Sequence, residues 1–277
     1  MKISTSLITG IFAIFATTFA STIGRHDDSY PNFIREAEPT CITPGAIPNI
    51  TGSQIRTVGV VLFQGFDMID VFGPLDPLQL MSLGVQKLNL HLIAETLDPV
   101  TTKPVAMNKF DSSFFPTVPP TNTFDDELDL DLLIVPGGSG ARNPNLQAVT
   151  SYIAKMFPKV KILMTICTGA GVAARSGVLD GHMATTNKNA WATMKEMGPK
   201  VNWVSPARYV IDGKIWSSSG VTSGLDLIFE FIATFWGKEQ SERLAGIAEH
   251  VPREATDDPF SKHYNITPTE AQPCPQP

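Results

Sequence analysis

Residues 161–174, K-I-L-M-T-I-C-T-G-A-G-V-A-A, constrain this chain more than any other stretch. An apolar run with strand character (Ile162, Leu163, Met164, Ile166) ends at a cysteine, and Thr-Gly-Ala-Gly leads at once into small helix-forming residues. A strand that turns directly into a helix puts the turn residue, here Cys167, at a sharply bent point, as in a nucleophile elbow. The helix that follows aims free N–H groups and the positive end of its dipole at the sulfur, which favours thiolate over thiol. The stretch alone is equally consistent with a buried cysteine closing a core strand, the commonest fate of a free thiol.

The flanking sequence supplies the rest of an α/β sandwich. Residues 55–63, I-R-T-V-G-V-V-L-F, and 128–135 are nearly continuous apolar runs, the pattern of parallel strands covered on both faces. The first leads through Gln64-Gly65-Phe66-Asp67 into a helical pattern with a break or start near Pro74, and the second ends in Pro136-Gly137-Gly138-Ser139-Gly140. Residues 88–94 alternate like a second strand, and 95–123, with five prolines, suit short edge strands only. Trp191 and Met194 are spaced to face inward from one helix, Asp212-Gly213 marks a hairpin, and 225–236 form a strongly apolar helix. Strands that alternate with helices and end in Gly-rich loops give a three-layer sandwich with a mostly parallel sheet.

Residues 1–20 read as a signal peptide, with Lys2 before an apolar run and Ala20 before Ser21. Residues 21–54 form a polar N-terminal arm, 55–250 the domain, and 251–277 a polar C-terminal tail. A secreted or vacuolar product without a membrane span after signal removal is expected. The sequons at Asn49 and Asn265 fit that route as glycosylation sites. An oxidising compartment favours pairing of Cys41 with Cys274, leaving Cys167 free; the alternatives are loss of the tail cysteines by processing or pairing between chains. A formal charge of −6 without a Lys/Arg cluster argues against a nucleic-acid partner. The histidines fall in unrelated segments, so no metal site is expected, and the Gly-rich loops lack nucleotide fingerprints, so no cofactor is.

In such a sheet the active site lies off the carboxyl ends of the strands. The Asp67–Asp70 loop, the Gly137-Gly138-Ser139 loop and Cys167-Thr168 should meet there, with the N–H groups of Gly138 and Thr168 as an anion pocket and Asp70 as a protonated acid. Asp70 and Asp67 each have a plainer reading as a helix cap.

The motifs F-Q-G-F-D-M-I-D-V-F-G-P (63–74), residues 131–138, I-C-T-G-A (166–170), G-V-L-D-G (177–181), A-T-T (184–186) and G-V-T-S-G-L-D (220–226) together resemble the DJ-1/PfpI superfamily. That resemblance implies a flavodoxin-like sandwich of class I glutamine-amidotransferase-like architecture, most similar to the isonitrile hydratase-like branch. It implies Cys167 as nucleophile, Asp70 as its acidic partner, Thr168 as a neighbour shaping the thiol, and Gly65, Gly138, Ser139 and Asn187 around the substrate. It also implies a homodimer and a small-molecule substrate, with isonitrile hydration to an N-substituted formamide as the expected reaction. A noncatalytic redox or stress protein, or glyoxalase- or peptidase-like chemistry, is the alternative. Relatives usually carry histidine where Asn187 stands, and asparagine cannot shuttle a proton. His182 reads as a turn residue.

Overall fold

The computed structural model describes residues 41–274. The signal peptide and the arm up to residue 40 lie outside them. In chain order the elements are β1 (Thr57–Val61), α1 (Met68–Gly84), β2 (Asn89–Ala94), β3 (Val100–Thr101), β4 (Thr117–Val118), β5 (Asn122–Thr123), β6 (Leu132–Val135), α2 (Gln147–Met156) and β7 (Ile162–Thr165). There follow α3 (Gly169–Arg175), β8 (Met183–Ala184), α4 (Trp191–Met197), β9 (Asn202–Trp203), β10 (Tyr209–Asp212), β11 (Ile215–Ser218), α5 (Ser223–Trp236), α6 (Lys238–Ile247) and α7 (Pro259–His263).

Seven strands form one sheet in the order β10-β11-β7-β6-β1-β2-β5, parallel except for the β10–β11 hairpin. Strand alternation sends Val58, Val60, Ile134 and Met164 to one face, where α1, α5 and α6 cover them with Val71, Leu78, Phe229, Phe231 and Leu244. Val61, Leu133, Val135 and Leu163 face the other way, against α2, α3 and α4. Burial of both faces is why these strands read as unbroken apolar runs. The central neighbours β1, β6 and β7 end side by side, which brings three separate loops to one rim of the sheet.

Two expectations are corrected. Helix α1 neither starts nor breaks near Pro74: it runs from Met68 with Pro74 and Pro77 inside it. Asp67 caps it, accepting the Ile69 N–H at 3.0 Å, and burial of Val71, Pro74, Pro77, Leu78 and Met81 offsets the backbone bonds the prolines forgo. Nor does the packed body stop at residue 250. The segment beyond it carries α7 and is fastened at several points. Asp258 reaches the buried Lys188 at 3.3 Å, Ser261 Oγ lies 2.7 Å from Ser205 Oγ, and Thr269 N–H donates to the Ser205 carbonyl. Cys41 and Cys274 form a disulfide within the chain, flanked by the Ile42–Pro273 bridge. The polar composition of this segment hid its role because its anchors are charges and hydroxyls paired on the body.

Candidate functional site

Cys167 lies between β7 and α3 with φ of +58°, a left-handed conformation that costs a non-glycine residue about 1–3 kcal/mol. The local sequence enforces the turn. A side chain on Gly169 would meet the Val135 carbonyl oxygen at 2.2 Å, so only glycine lets the first turn of α3 close against the end of β6. Thr186 Oγ1 donates to the Cys167 carbonyl at 2.9 Å from across the rim. Asn187 Nδ2 lies 3.3 Å from the sulfur, while Asn187 Oδ1 accepts the Ala190 N–H at 3.1 Å.

Asp70 comes from the first turn of α1 and is wholly buried. With Asp67 acting as the cap, Asp70 is free to turn inward. Its Oδ2 accepts the Gly137 N–H at 2.9 Å, and its buried Oδ1 makes no hydrogen bond. Burial pushes this carboxyl from an ordinary 3.8 up to about 8, assisted by the charge of Asp67 and opposed by the Gly137 N–H and the Cys167 thiol.

The thiol does not follow the thiolate expectation. Cys167 is 5 % exposed, and burial pushes its thiol upward, with the Asp70 charge adding to the effect and the Thr168 N–H and Asn187 working against it. Desolvation outweighs the N–H groups of a seven-residue helix. At neutral pH the site therefore holds a thiol beside a carboxylic acid.

The three loops meet as expected, but several of their groups are spent on one another. The Gly138 N–H donates to Thr168 Oγ1 at 2.9 Å, and that hydroxyl donates back to the Gly138 carbonyl at 3.1 Å. Gly138 is thus not a free anion donor, and Thr168 acts through the loop it clasps. Gly65 and Ser139 likewise serve loop packing: the Gly65 carbonyl accepts the Gly140 N–H at 2.9 Å and Ser139 Oγ at 3.4 Å. Gly138 has φ of +126°, and any side chain there would strike the Gly65 carbonyl oxygen at 2.3 Å. Of the proposed donors, the Asn187 amide remains directed at the sulfur, 3.3 Å away, and the Thr168 N–H works with it to lower the thiol. His182 stays outside the site, 3.0 Å from Asp212.

Lys188 was not legible as part of this region. Its buried ammonium contacts Thr185 Oγ1 (2.9 Å), the Ala207 carbonyl (2.8 Å) and Ser219 Oγ (3.0 Å) besides Asp258, and burial lowers it to about 8. It ties the segment after β8 that carries Asn187 to the C-terminal segment; a lone lysine after Thr-Thr-Asn gives no periodic signal of that. A cavity of about 180 Å³ adjoins, with Asn187, Ser219, Val221, Phe260 and Tyr264 in its wall. Cys167 is behind Asn187 rather than in that wall. Among the described residues, no group of three or more His, Cys, Asp or Glu side chains is placed to hold a metal ion, and no helix is long and apolar enough to cross a membrane.

Comparison with known proteins matches this geometry to a family. The chain is 27% identical over 198 residues to an isonitrile hydratase of Pseudomonas putida, covering 70% of this chain and 78% of that protein. It is 25% identical over 208 residues to the HTH-type transcriptional regulator GbdR of Pseudomonas aeruginosa, covering 74% of this chain and 53% of the regulator. Among solved structures it superposes on a ThiJ/PfpI family protein from Pseudomonas syringae with a TM-score of 0.56 at 22% identity, covering 76% of this chain and 84% of that one. The model of the DJ-1/PfpI family matches residues 56–234, which take in Asp70, Gly137, Cys167 and Asn187, and the chain belongs to that family.

Proposed function

We propose that the protein hydrates a small isonitrile to an N-substituted formamide, with Cys167 on a nucleophile elbow and Asp70 as proton carrier. The observation that carries this reading is the pairing of a buried thiol with a carboxyl whose Oδ1 is unpartnered and whose proton is held up to about pH 8. The similarity to an isonitrile hydratase supports the same chemistry.

An isonitrile carbon takes up both a nucleophile and a proton, and a thiol with a carboxylic acid supplies both without an external base. The sulfur forms its bond to the terminal carbon, the Asp70 proton passes to that carbon, and the thiol proton returns to Asp70. The product is a thioimidate, Cys–S–CH=N–R. Water then adds across C=N to give Cys–S–CH(OH)–NH–R. As the C–S bond breaks, Asp70 gives its proton to the sulfur and takes up the hydroxyl proton, leaving the free thiol, the protonated acid and R–NH–CHO. The Thr168 N–H and Asn187 amide steady the sulfur as charge develops on it. Asn187 cannot shuttle a proton, so the relay falls to Asp70 alone.

A panel of isonitriles incubated with the wild type and with Cys167→Ala tests this. Formamide release by the wild type only is the expected result; no formamide from any isonitrile sinks it. A second reading is a noncatalytic redox or stress-responsive protein without turnover: the 5 % exposure of Cys167 counts against substrate access. Reversible oxidation of Cys167 with no product would establish it instead.

We also propose secretion with glycans at Asn49 and Asn265, supported by the disulfide and by the exposure of both asparagines. A homodimer through α1 is supported by its exposed Met68, Ile69 and Phe72, and light scattering at micromolar concentration would test it.

A further inference from the structure

The cavity beside Asn187 has walls of different origin. One side is the rim already described: the Asn187 amide, whose nitrogen also contacts the Cys167 sulfur, and the loop carrying Ser219 and Val221. The other side is Phe260 and Tyr264, from α7 and the residue after it. The family match ends at residue 234, so this second wall comes from a segment outside the matched range.

That wall is built rather than incidental. Asp258 both caps α7, accepting the Phe260 N–H at 3.0 Å, and pairs with the buried Lys188, the neighbour of Asn187. Ser261 is buried against Ser205. The His263 ring stands edge-on to both Phe260 (6.4 Å between centroids) and Tyr264 (4.7 Å), which orders the aromatic surface before any ligand arrives. Phe260 and Tyr264 are nonetheless 48% and 43% exposed, so each has ring surface left to cover. The cavity, at about 180 Å³, is below the roughly 300–1,000 Å³ of drug-sized sites and suits a substituent of one ring.

We propose that Phe260 and Tyr264 form the substituent pocket of the Cys167 site and select isonitriles that carry an aromatic ring. This rests on the reading of Cys167 as the nucleophile for isonitrile hydration. The polar –N≡C end would point past Asn187 toward the sulfur, and the ring would pack against the two aromatic side chains. Aromatic pairs add to what the area they bury contributes, so two such contacts are enough for about a tenfold preference.

The test uses the full chain carrying Cys167→Ala, so that binding is read without turnover. Affinities of benzyl isonitrile and n-butyl isonitrile are measured by titration calorimetry, then repeated with Phe260→Ala or Tyr264→Ala added. Benzyl isonitrile is expected to bind about tenfold tighter, and each added substitution to cut that ratio to about threefold or less. Thermal melting confirms that the exposed substitutions leave the fold intact. Equal affinities, a ratio that survives both substitutions, or no binding of either compound overturns the proposal. Formamide release by the protein with native Cys167 is scored separately: aromatic-selective binding without product would sink the hydration reading alone, and turnover without aromatic preference would sink this one alone.

Discussion

Two aspartates, each buried in the first turn of a helix, receive opposite treatment. Asp226 in α5 has both oxygens occupied: the Arg208 guanidinium takes Oδ2, while His250 Nε2 (2.9 Å) and the Arg253 N–H (3.1 Å) share Oδ1. Asp70 in α1 has one backbone N–H, an oxygen without a hydrogen bond, a thiol nearby and a second carboxylate, Asp67, acting against its ionisation. A buried charge is tolerated when it is paired and becomes a proton reservoir when it is not. Pairing, rather than burial, separates the carboxylate that holds the C-terminal segment from the one that can do chemistry.

Substituting each partner is the strongest way to break this contrast. Asp70→Asn removes the proton carrier while keeping the size, and should lower formamide turnover by about 10²–10⁴-fold with stability kept or raised at pH 8. Asp226→Asn leaves Arg208 without its counter-charge in the interior, and should cost about 3–5 kcal/mol in chemical denaturation while turnover per folded molecule stays within about twofold. If Asp70→Asn unfolds the chain and Asp226→Asn removes activity at full stability, the assignment is reversed.

The same contrast sets a pH dependence. The Asp70 carboxyl titrates at about 8 in the folded chain against 3.8 for an ordinary carboxyl. Between those values the folded state holds a proton that the unfolded state has released. Stability therefore falls as pH rises through this window, by about 1.4 kcal/mol per pH unit from this group, and levels off above pH 8. Denaturant midpoints at pH 5, 6, 7 and 8 for wild type and Asp70→Asn would show it. The variant should lose that slope, and parallel curves would mean that Asp70 is not the group involved.

The sequence carried the fold well because strands buried on both faces advertise themselves as apolar runs, and the rim because each loop follows such a run. What it could not carry was the distribution of hydrogen bonds among groups brought together by folding. Gly138 and Thr168 were both legible as donors, yet their mutual bonds remove Gly138 from service. Cys167 was legible at a bend, but its depth depends on side chains from elsewhere along the chain, so the balance between helix N–H groups and desolvation could not be read locally. The C-terminal wall was missed for a related reason: Asp258, Ser261 and Thr269 look solvated until Lys188 and Ser205 are placed against them.

Asn187 gives the smallest effect and the finest test of where the site ends and the scaffold begins. Its Nδ2 donates to the sulfur, and its Oδ1 caps the turn that leads into α4 through Ala190. Asn187→Ala removes both. Loss of the donor should raise the thiol further and slow alkylation of Cys167 by iodoacetamide by about two- to tenfold, the worth of one hydrogen bond. Loss of the cap should cost about 1 kcal/mol of stability. Asn187→Asp separates the two, because it retains an oxygen for the Ala190 N–H and offers the sulfur no donor. Alkylation slowed in both variants, with the stability loss confined to alanine, would show one side chain serving the reaction and the fold through different atoms. Equal stability losses with unchanged alkylation would make Asn187 part of the scaffold alone, leaving the carboxyls of Asp70 and Asp67 as the polar side chains acting on the thiol.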